Sequence, residues 1–329
     1  MEQKVLRTGA LVVACAIALR LLSGAAGSLS RDLPPKIVSF ILFMQTGRVV
    51  RPGHISFSPP PTDPTEETQP TNPSPTEPDL PVFSQQDAAA IGITAGFPYQ
   101  VDLPSLMTKP LSWDLTGEEP KVLIVHSHGS ESYLPTKEYQ ETTPYHTLNT
   151  DHNMISIGDF VAKNLAAAGI SVLHDRTLHD EPSYNASYNN SRKSVQDYLA
   201  QYPSICLVLD LHRDSIEDEV GNQVAQTVFS QGETLAPLML VVGTDYGGLN
   251  HPRWQENLSL ALKLQTQLEG ICPGICRNIN LRTQRFNQDL SPGAMLVEVG
   301  ASGNTRQEAL RSAEILVKAV VSLAYGSGS

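Results

Sequence analysis

The sequence predicts an α/β domain built on a single twisted sheet, mostly parallel or mixed, with helices on both faces. Two observations favour this class. Short apolar runs alternate along residues 99–329 with longer stretches whose apolar residues recur at helical spacing. Several of the apolar runs end in polar residues, as strands do when their carboxyl ends open onto a site. Hydrophobic residues make up 40% of the chain, which is enough for a substantial core.

The predicted strands and helices follow one another in a regular order. The first strand is 121–127 (KVLIVHS), and 205–211 (ICLVLDL) is apolar nearly throughout, as is typical of a central strand covered on both faces. A helix at 154–168 has a stop signal at Gly169. The other predicted strands are 170–174, 224–229, 238–242, 277–281 and 294–299. The other predicted helices are 191–202, 254–268 and 305–323, the last with Asn304 as N-cap.

Residues 1–30 have the pattern of a signal anchor. Lys4 and Arg7 precede an apolar run that Arg20 interrupts, and basic residues ahead of a short apolar segment indicate export or anchoring. We expect this segment to tether the chain to a membrane, and a cleaved signal with a secreted protein is the alternative. Residues 31–51 form a juxtamembrane segment whose apolar patch at 37–44 is too short to cross a bilayer.

A proline-rich flexible linker is predicted at 52–98. Ten prolines fall between Pro52 and Pro81, and Thr, Ser, Glu and Asp fill most of the gaps. Such a composition cannot bury enough apolar surface to offset the entropy lost on ordering, so we expect an extended, solvated spacer. The folded domain is then expected to occupy 99–329.

The charge of the chain excludes one class of partner. The net charge is −11, and residues 101–329 carry 16 basic and 26 acidic side chains. The electrostatic attraction on which nucleic-acid binding depends is therefore missing, and no nucleic-acid partner is expected. The four cysteines offer one local pair, Cys272 and Cys276, which is no disulfide framework. Free thiols, a short disulfide and metal binding all stay open for that pair.

Polar side chains lie at the ends of three predicted strands. His126 and His128 follow VLIV, His212 follows ICLVLDL, and Glu298 lies within AMLVEVG. Carboxyl ends of strands share one edge of an open sheet, so these residues can converge. In HSHGSES (126–132) the two histidines are expected on one face, with Glu131 in the turn that follows. Imidazoles plus a carboxylate form the ligand set of a catalytic zinc, although each histidine alone also fits a hydrogen-bonded core residue.

Glu298 is flanked by apolar residues. An ionised carboxylate is costly to bury without a partner, so it either pairs with a cation or takes part in proton transfer with a raised pKa. Arg213 and Arg285 are the candidate partners for an ion pair. Serine hydrolysis is a competing interpretation because Ser130 and Ser132 lie beside histidines, but the Gly-x-Ser-x-Gly pattern is missing.

Several long motifs resemble the stage II sporulation protein P family of endospore-forming bacteria. They are VLIVHSHGSESYLP (122–135), HDRTLHDEPSYNASYNNS (174–191), LDLHRDS (209–215), RFNQDLSPGAMLVEVG (285–300) and TGRVV (46–50) before the proline-rich spacer. The resemblance implies a fold like that of the zinc-dependent N-acetylmuramoyl-L-alanine amidases. It also implies a peptidoglycan hydrolase that cleaves the amide between muramic acid and the stem peptide, and peptide cross-links as well. Its members are membrane-anchored and act with stage II sporulation proteins D and M during engulfment, which places the catalytic domain outside the cytoplasm at the mother-cell or septal membrane.

The resemblance also implies roles for individual residues. His128 and His212 correspond to zinc ligands and Glu298 to the catalytic glutamate. Glu131 is chosen as the third ligand, with Asp151 and His126 as substitutes.

The expected chemistry follows from this ligand set. Zinc lowers the pKa of its bound water and polarises the scissile carbonyl, while Glu298 takes the water proton and delivers it to the departing amine. Arg213 or Arg285 is expected to hold a stem-peptide carboxylate, and the stretch 184–190, which begins with Tyr184, to line the groove.

Two other functions stay open on the sequence alone. A membrane-tethered wall-binding module that has lost activity and only recruits sporulation partners would share the same fold. A carboxypeptidase acting on free peptides would have a narrow pocket instead of an open groove.

Overall fold

The computed structural model of the chain describes residues 80–111, 113–136 and 145–326. The predicted signal anchor (1–30), the juxtamembrane segment (31–51) and most of the predicted linker (52–98) lie outside these ranges. Within the described ranges, none of the helices combines the length and the hydropathy that a membrane crossing requires.

A seven-stranded sheet in the order β1-β8-β7-β9-β4-β2-β3 forms the centre of the domain. Its strands are β1 (Ile93–Ala95), β2 (Val122–Val125), β3 (Val172–His174), β4 (Leu207–Asp214), β7 (Leu238–Gly243), β8 (Ile279–Arg282) and β9 (Ala294–Ala301). All neighbouring strands are parallel except β7 and β9, which are antiparallel. Strands β5 (Val228–Ser230) and β6 (Glu233–Leu235) form a separate antiparallel hairpin. The predicted mixed, mostly parallel sheet is confirmed.

Helices cover the two faces of the sheet unequally. They are α1 (Gln85–Ala89), α2 (Leu103–Thr108), α3 (Met154–Ala167), α4 (Ser187–Gln201), α5 (Trp254–Ile271) and α6 (Arg306–Tyr325). The main core joins α3, α5 and α6 to one face of the sheet, which we call the first face. On the second face, α4 packs over β2 and β4. The adjoining part of the second face carries a small cluster of Met239, Val241 and Leu296, packed against Phe286.

The structure extends the folded domain toward the N-terminus. Helix α1 and strand β1 lie within the range 52–98 assigned to the linker, and Ile93 pairs with Ile279 of β8. The predicted start of the domain at residue 99 is therefore too late. The apolar side chains of Phe83, Ile91 and Ile93 pack against the main core, and that burial is what draws the segment into the fold.

One predicted strand and one predicted N-cap differ from the structure, and the helix predicted at 191–202 begins earlier, at Ser187. The strand expected at 224–229 is formed only from Val228 onward, in the separate hairpin, because Gln226 and Thr227 bring too little apolar surface for the central sheet. The N-cap of α6 is Thr305, whose hydroxyl accepts the Glu308 N–H in a capping box. The Asn304 side chain instead accepts the Ala301 N–H at 2.9 Å. The three cysteines of the described residues are free thiols.

Candidate active site

His128 lies in the turn after β2, at the carboxyl end of that strand. Its ring stacks on Tyr184 with centroids 4.0 Å apart, and its centroid is 5.5 Å from that of His212. Its Nε2 is 3.5 Å from the Ser187 hydroxyl. Its Nδ1 is buried and has no hydrogen-bond partner in the part of the chain that the structure describes. Such an atom costs free energy unless a ligand contacts it, so this nitrogen is a candidate donor to a metal.

His212 is held by a carboxylate on its own strand. Asp210 and His212 are two residues apart on β4 and share a face, and His212 Nε2 is 2.9 Å from Asp210 Oδ1. Asp210 also accepts the Ser127 backbone N–H at 2.8 Å and its hydroxyl at 2.6 Å. Burial opposes protonation, yet Asp210 and Glu131 raise the pKa of His212 well above its usual value. A carboxylate on one ring nitrogen is typical of metal-binding histidines, because it orients the other nitrogen.

Glu131 follows in the turn after β2 and is fixed by Arg213. It accepts the Arg213 backbone N–H at 3.2 Å and its Nη1 at 3.4 Å. The same guanidinium donates to the carbonyls of Ser132 and Tyr145. Burial works against ionisation, but Arg213 and His212 hold the pKa of Glu131 below its usual range. An ionised carboxylate therefore lies beside His212, with Oε2 3.5 Å from Nδ1.

Glu298 lies directly beside His212 on the neighbouring strand. The two residues are register partners on β9 and β4, so their side chains leave the same face at the same level. The Oε2 of Glu298 is buried without a hydrogen-bond partner among the described residues. Burial raises the pKa of this carboxyl to about 8. Arg213 and Arg285 contact other carboxylates instead, so the ion-pair alternative for Glu298 does not hold.

One open cavity of about 640 Å³ is lined by the four candidate residues, His128, Glu131, His212 and Glu298. Across the described ranges, no three His, Cys, Asp or Glu side chains are arranged tightly enough to hold a metal ion. The chemistry of the donor set nevertheless fits zinc. The 3.5 Å between His212 Nδ1 and Glu131 Oε2 is near the separation of about 3.3 Å between two ligands of a tetrahedral zinc. His128 Nδ1 supplies a third donor that no described residue satisfies.

His126 lies on the other side of the sheet from His128, contrary to the expectation of a shared face. Strand β2 ends at Val125, so the alternation on which that expectation rested stops before these residues. His126 Nδ1 donates to the Leu211 carbonyl at 3.0 Å, and its Nε2 meets His174 Nε2 at 2.8 Å. Both ring nitrogens are engaged, which argues against His126 as a substitute zinc ligand.

Of the remaining predicted site residues, two line the cavity and two do not. Tyr184 and Arg213 line the cavity. Asp151 is exposed in the turn before α3, and its backbone N–H bonds the Asn149 side chain at 3.0 Å; it lies outside the cavity lining. Arg285 also lies outside that lining. The structure therefore favours Glu131 over Asp151 as the carboxylate nearest to the two histidines.

Sequence reasoning missed two supporting acids, Asp210 and Asp180, whereas Tyr188 falls in the stretch 184–190 expected to line the groove. The spacing of Asp210 two residues before His212 on a strand was a usable signal. Asp180 accepts the Ser130 backbone N–H at 3.1 Å and its hydroxyl at 2.6 Å, which holds the turn after β2. Tyr188 lines the cavity from α4. No local pattern signalled the contact between Asp180 and Ser130, because the two residues are 50 positions apart in the chain.

The family of the chain follows from a comparison with known sequences. The model of the family described as stage II sporulation protein P matches residues 59–321. The chain belongs to the stage II sporulation protein P family. This confirms the likeness that the motifs indicated. A stage II sporulation protein P of Bacillus subtilis (strain 168) is 29% identical over 209 residues, which cover 60% of this chain and 49% of that protein. The chain thus spans about half the length of the curated relative that it matches.

Solved structures similar to this stage II sporulation protein P family member include three N-acetylmuramoyl-L-alanine amidases. AmiC2 of Nostoc punctiforme has a TM-score of 0.37 and 15% identity, covering 63% of this chain and 97% of its own. Ami1 of Mycobacterium abscessus, in its apo form, has a TM-score of 0.38 and 10% identity over 63% of this chain and 99% of its own. The amidase of Clostridium difficile 630 has a TM-score of 0.36 and 15% identity over 63% and 97%.

Proposed function

We propose that this protein is a zinc-dependent peptidoglycan hydrolase that cleaves the amide between muramic acid and the stem peptide, and peptide cross-links as well. One observation carries the proposal: His128, Glu131 and His212 meet in one cavity with the unpaired carboxyl of Glu298 beside them. Membership of the stage II sporulation protein P family supports cell-wall chemistry during sporulation. The whole protein's substrate, activity and partners are part of the proposal.

The residues that would hold zinc are His128, Glu131 and His212. When bound there, zinc supplies a Lewis acid that polarises a carbonyl and lowers the pKa of a water molecule. Asp210 orients His212 through its Nε2, and Arg213 orients the Glu131 carboxylate. These two contacts fix the donor atoms before any ligand arrives, which limits the reorganisation that binding requires.

Glu298 is the group that moves a proton. Its side chain lies beside His212 and lines the cavity. Burial raises its pKa to about 8, and a cation at the adjoining donor atoms would lower that pKa toward neutrality. The Glu298 carboxylate then accepts a proton from water and returns it to the departing amine.

The shape of the cavity supports an extended substrate. The cavity is open to solvent, and the aromatic side chains of Tyr184, Tyr188 and Phe286 line it. An open groove fits a polymer chain better than the narrow pocket expected of a carboxypeptidase acting on free peptides. We therefore favour peptidoglycan over short free peptides as the substrate.

The cellular setting is also part of the proposal. We infer a membrane-anchored protein with its catalytic domain outside the cytoplasm at the mother-cell or septal membrane, where it acts with stage II sporulation proteins D and M during engulfment. The family membership supports this setting. The predicted anchor at 1–30 lies outside the described residues.

Two measurements test the proposal. Release of stem peptides from purified sacculi is compared for the wild type, the wild type with chelator, and Glu298→Gln. We expect loss of release in the last two cases. Undiminished release by Glu298→Gln would remove the catalytic assignment. No release by any form, with binding to sacculi intact, would favour the non-catalytic wall-binding module.

Metal analysis provides the second measurement. Purified wild-type chain is expected to contain about one zinc per molecule, and His128→Ala and His212→Ala are expected to lose it. Retention of stoichiometric zinc by both variants would place the metal elsewhere.

A further inference from the structure

A second cavity, of about 580 Å³, lies beside the active-site cavity on the second face of the sheet. We call it the distal groove. The two cavities share six residues in their linings, namely Tyr188, Asp214, Ser215, Glu217, Phe286 and Glu298. A substrate seated at Glu298 can therefore continue from one cavity into the other without leaving the protein surface.

The base of the distal groove is formed by apolar side chains of the sheet that are themselves buried beneath Phe286. Side chains alternate along each strand, so Met239 and Val241 of β7 and Leu296 of β9 share the second face with Glu298. Helix α4 packs farther along that face, over β2 and β4. The apolar side chains of β7 and β9 consequently line a cavity instead of a helix contact.

Arg282 supplies a positive charge at the far end of the distal groove. It lies at the end of β8, is exposed, and forms no ion pair or side-chain hydrogen bond with any residue that the structure describes. The other guanidinium in the lining, that of Arg277, is paired with Asp214. Among the described residues that line the groove, Arg282 is thus the cation that is free to bind an anion.

The strand register sets the distance between Glu298 and Arg282. Glu298 pairs with Met239, and Arg282 pairs with Gly243, so the two positions differ by four residues along the strands and by two strands across them. At about 3.3 Å per residue and about 4.8 Å per strand, their Cα atoms are about 16 Å apart. That distance matches about five residues of extended peptide.

We propose that the distal groove binds the peptide arm of the substrate in an extended form, with the guanidinium of Arg282 holding a carboxylate of that peptide. The proposal rests on the proposed function, because it assigns the stem peptide of peptidoglycan to the same site. Arg282 selects peptides whose carboxyl groups are free over those whose carboxyl groups are amidated, because a guanidinium and a carboxylate form a charge-assisted pair.

The test uses the full-length chain and two synthetic tetrapeptides of stem-peptide composition, one with free carboxyl groups and one fully amidated. Binding of each peptide is measured by calorimetry for the wild type, Arg282→Gln and Arg282→Lys. We expect Arg282→Gln to weaken binding of the free-acid peptide about tenfold and to change binding of the amidated peptide less than about twofold. Arg282→Lys is expected to restore part of the affinity, because it keeps the charge but loses the planar fork. Arg253→Gln is the matched control, since Arg253 is exposed at the start of α5, outside the groove.

The outcomes separate this proposal from the proposed function. Equal affinity of wild type and Arg282→Gln for the free-acid peptide overturns the groove assignment, even if the protein hydrolyses sacculi. Arg282-dependent binding together with no hydrolysis supports the groove and overturns the hydrolase. The same tenfold loss in Arg253→Gln would show a general charge effect and would also overturn the assignment.

Discussion

The substitution Asp210→Asn tests the scaffold beneath the candidate zinc site. Asp210 is buried and accepts three hydrogen bonds, from His212 Nε2 at 2.9 Å and from the Ser127 N–H and hydroxyl at 2.8 and 2.6 Å. An asparagine oxygen at the Oδ1 position can keep the bonds from His212 Nε2 and the Ser127 N–H, but an NH₂ group at the Oδ2 position cannot accept a hydrogen bond from the Ser127 hydroxyl. The charge that holds the His212 ring is also lost.

The expected effect has two parts. Charge-assisted hydrogen bonds contribute about 1.5–3 kcal/mol each, so loss of the bond from the Ser127 hydroxyl and weakening of the other two should lower the free energy of unfolding by about 2–4 kcal/mol. Removal of a carboxylate that orients a metal-binding histidine weakens metal affinity by about 10–100-fold. Urea denaturation measures the first quantity, and competition with a chromophoric chelator measures the second.

Asp197→Asn is the matched control for this experiment. Asp197 is an exposed carboxylate on α4, so the same change of charge is expected to leave both quantities within error. Wild-type zinc affinity in Asp210→Asn would refute the reasoning that the Asp210–His212 contact prepares a metal ligand. A loss of stability with unchanged zinc affinity would reduce Asp210 to a structural residue.

Three further predictions concern stability. Gly158→Ala should destabilise the fold by about 1–3 kcal/mol, since the added methyl group collides with the rings of His126 and His174; a wild-type melting curve would contradict this. Tyr133→Phe should cost about 1–2 kcal/mol in urea denaturation, because the buried hydroxyl donates to a backbone carbonyl of β9 at 2.7 Å; an unchanged midpoint would show that this bond adds nothing. Burial lowers the pKa of Lys263 from 10.5 to about 8. Between these two pH values the unfolded chain still holds the proton that the folded chain has released. The free energy of unfolding should therefore rise with pH across this range, by about 2–3 kcal/mol in all. The rise is measured as the difference between wild type and Lys263→Met from pH 7 to 10.5, and parallel curves for the two would exclude it.

Local sequence patterns predicted most of the framework of the site. Apolar runs that end in polar residues located β2, β4 and β9, and with them His128, His212 and Glu298. Such runs can be recognised in a sequence because a strand that is covered on both faces needs an apolar residue at nearly every position. The same logic failed for His126, because strand β2 ends one residue earlier and the alternation of faces ends with it.

The sequence by itself determined the class of fold, the family and the residues whose chemistry suits a metal and a proton transfer, because these depend on composition and on short-range spacing. Only the tertiary structure decided which charges are free. Arg213 and Arg285 are each paired with a carboxylate, whereas Arg282 faces an open groove. Those pairings depend on the order of strands in the sheet and on contacts such as that between Arg213 and Glu131, 82 positions apart in the chain, which no local pattern records.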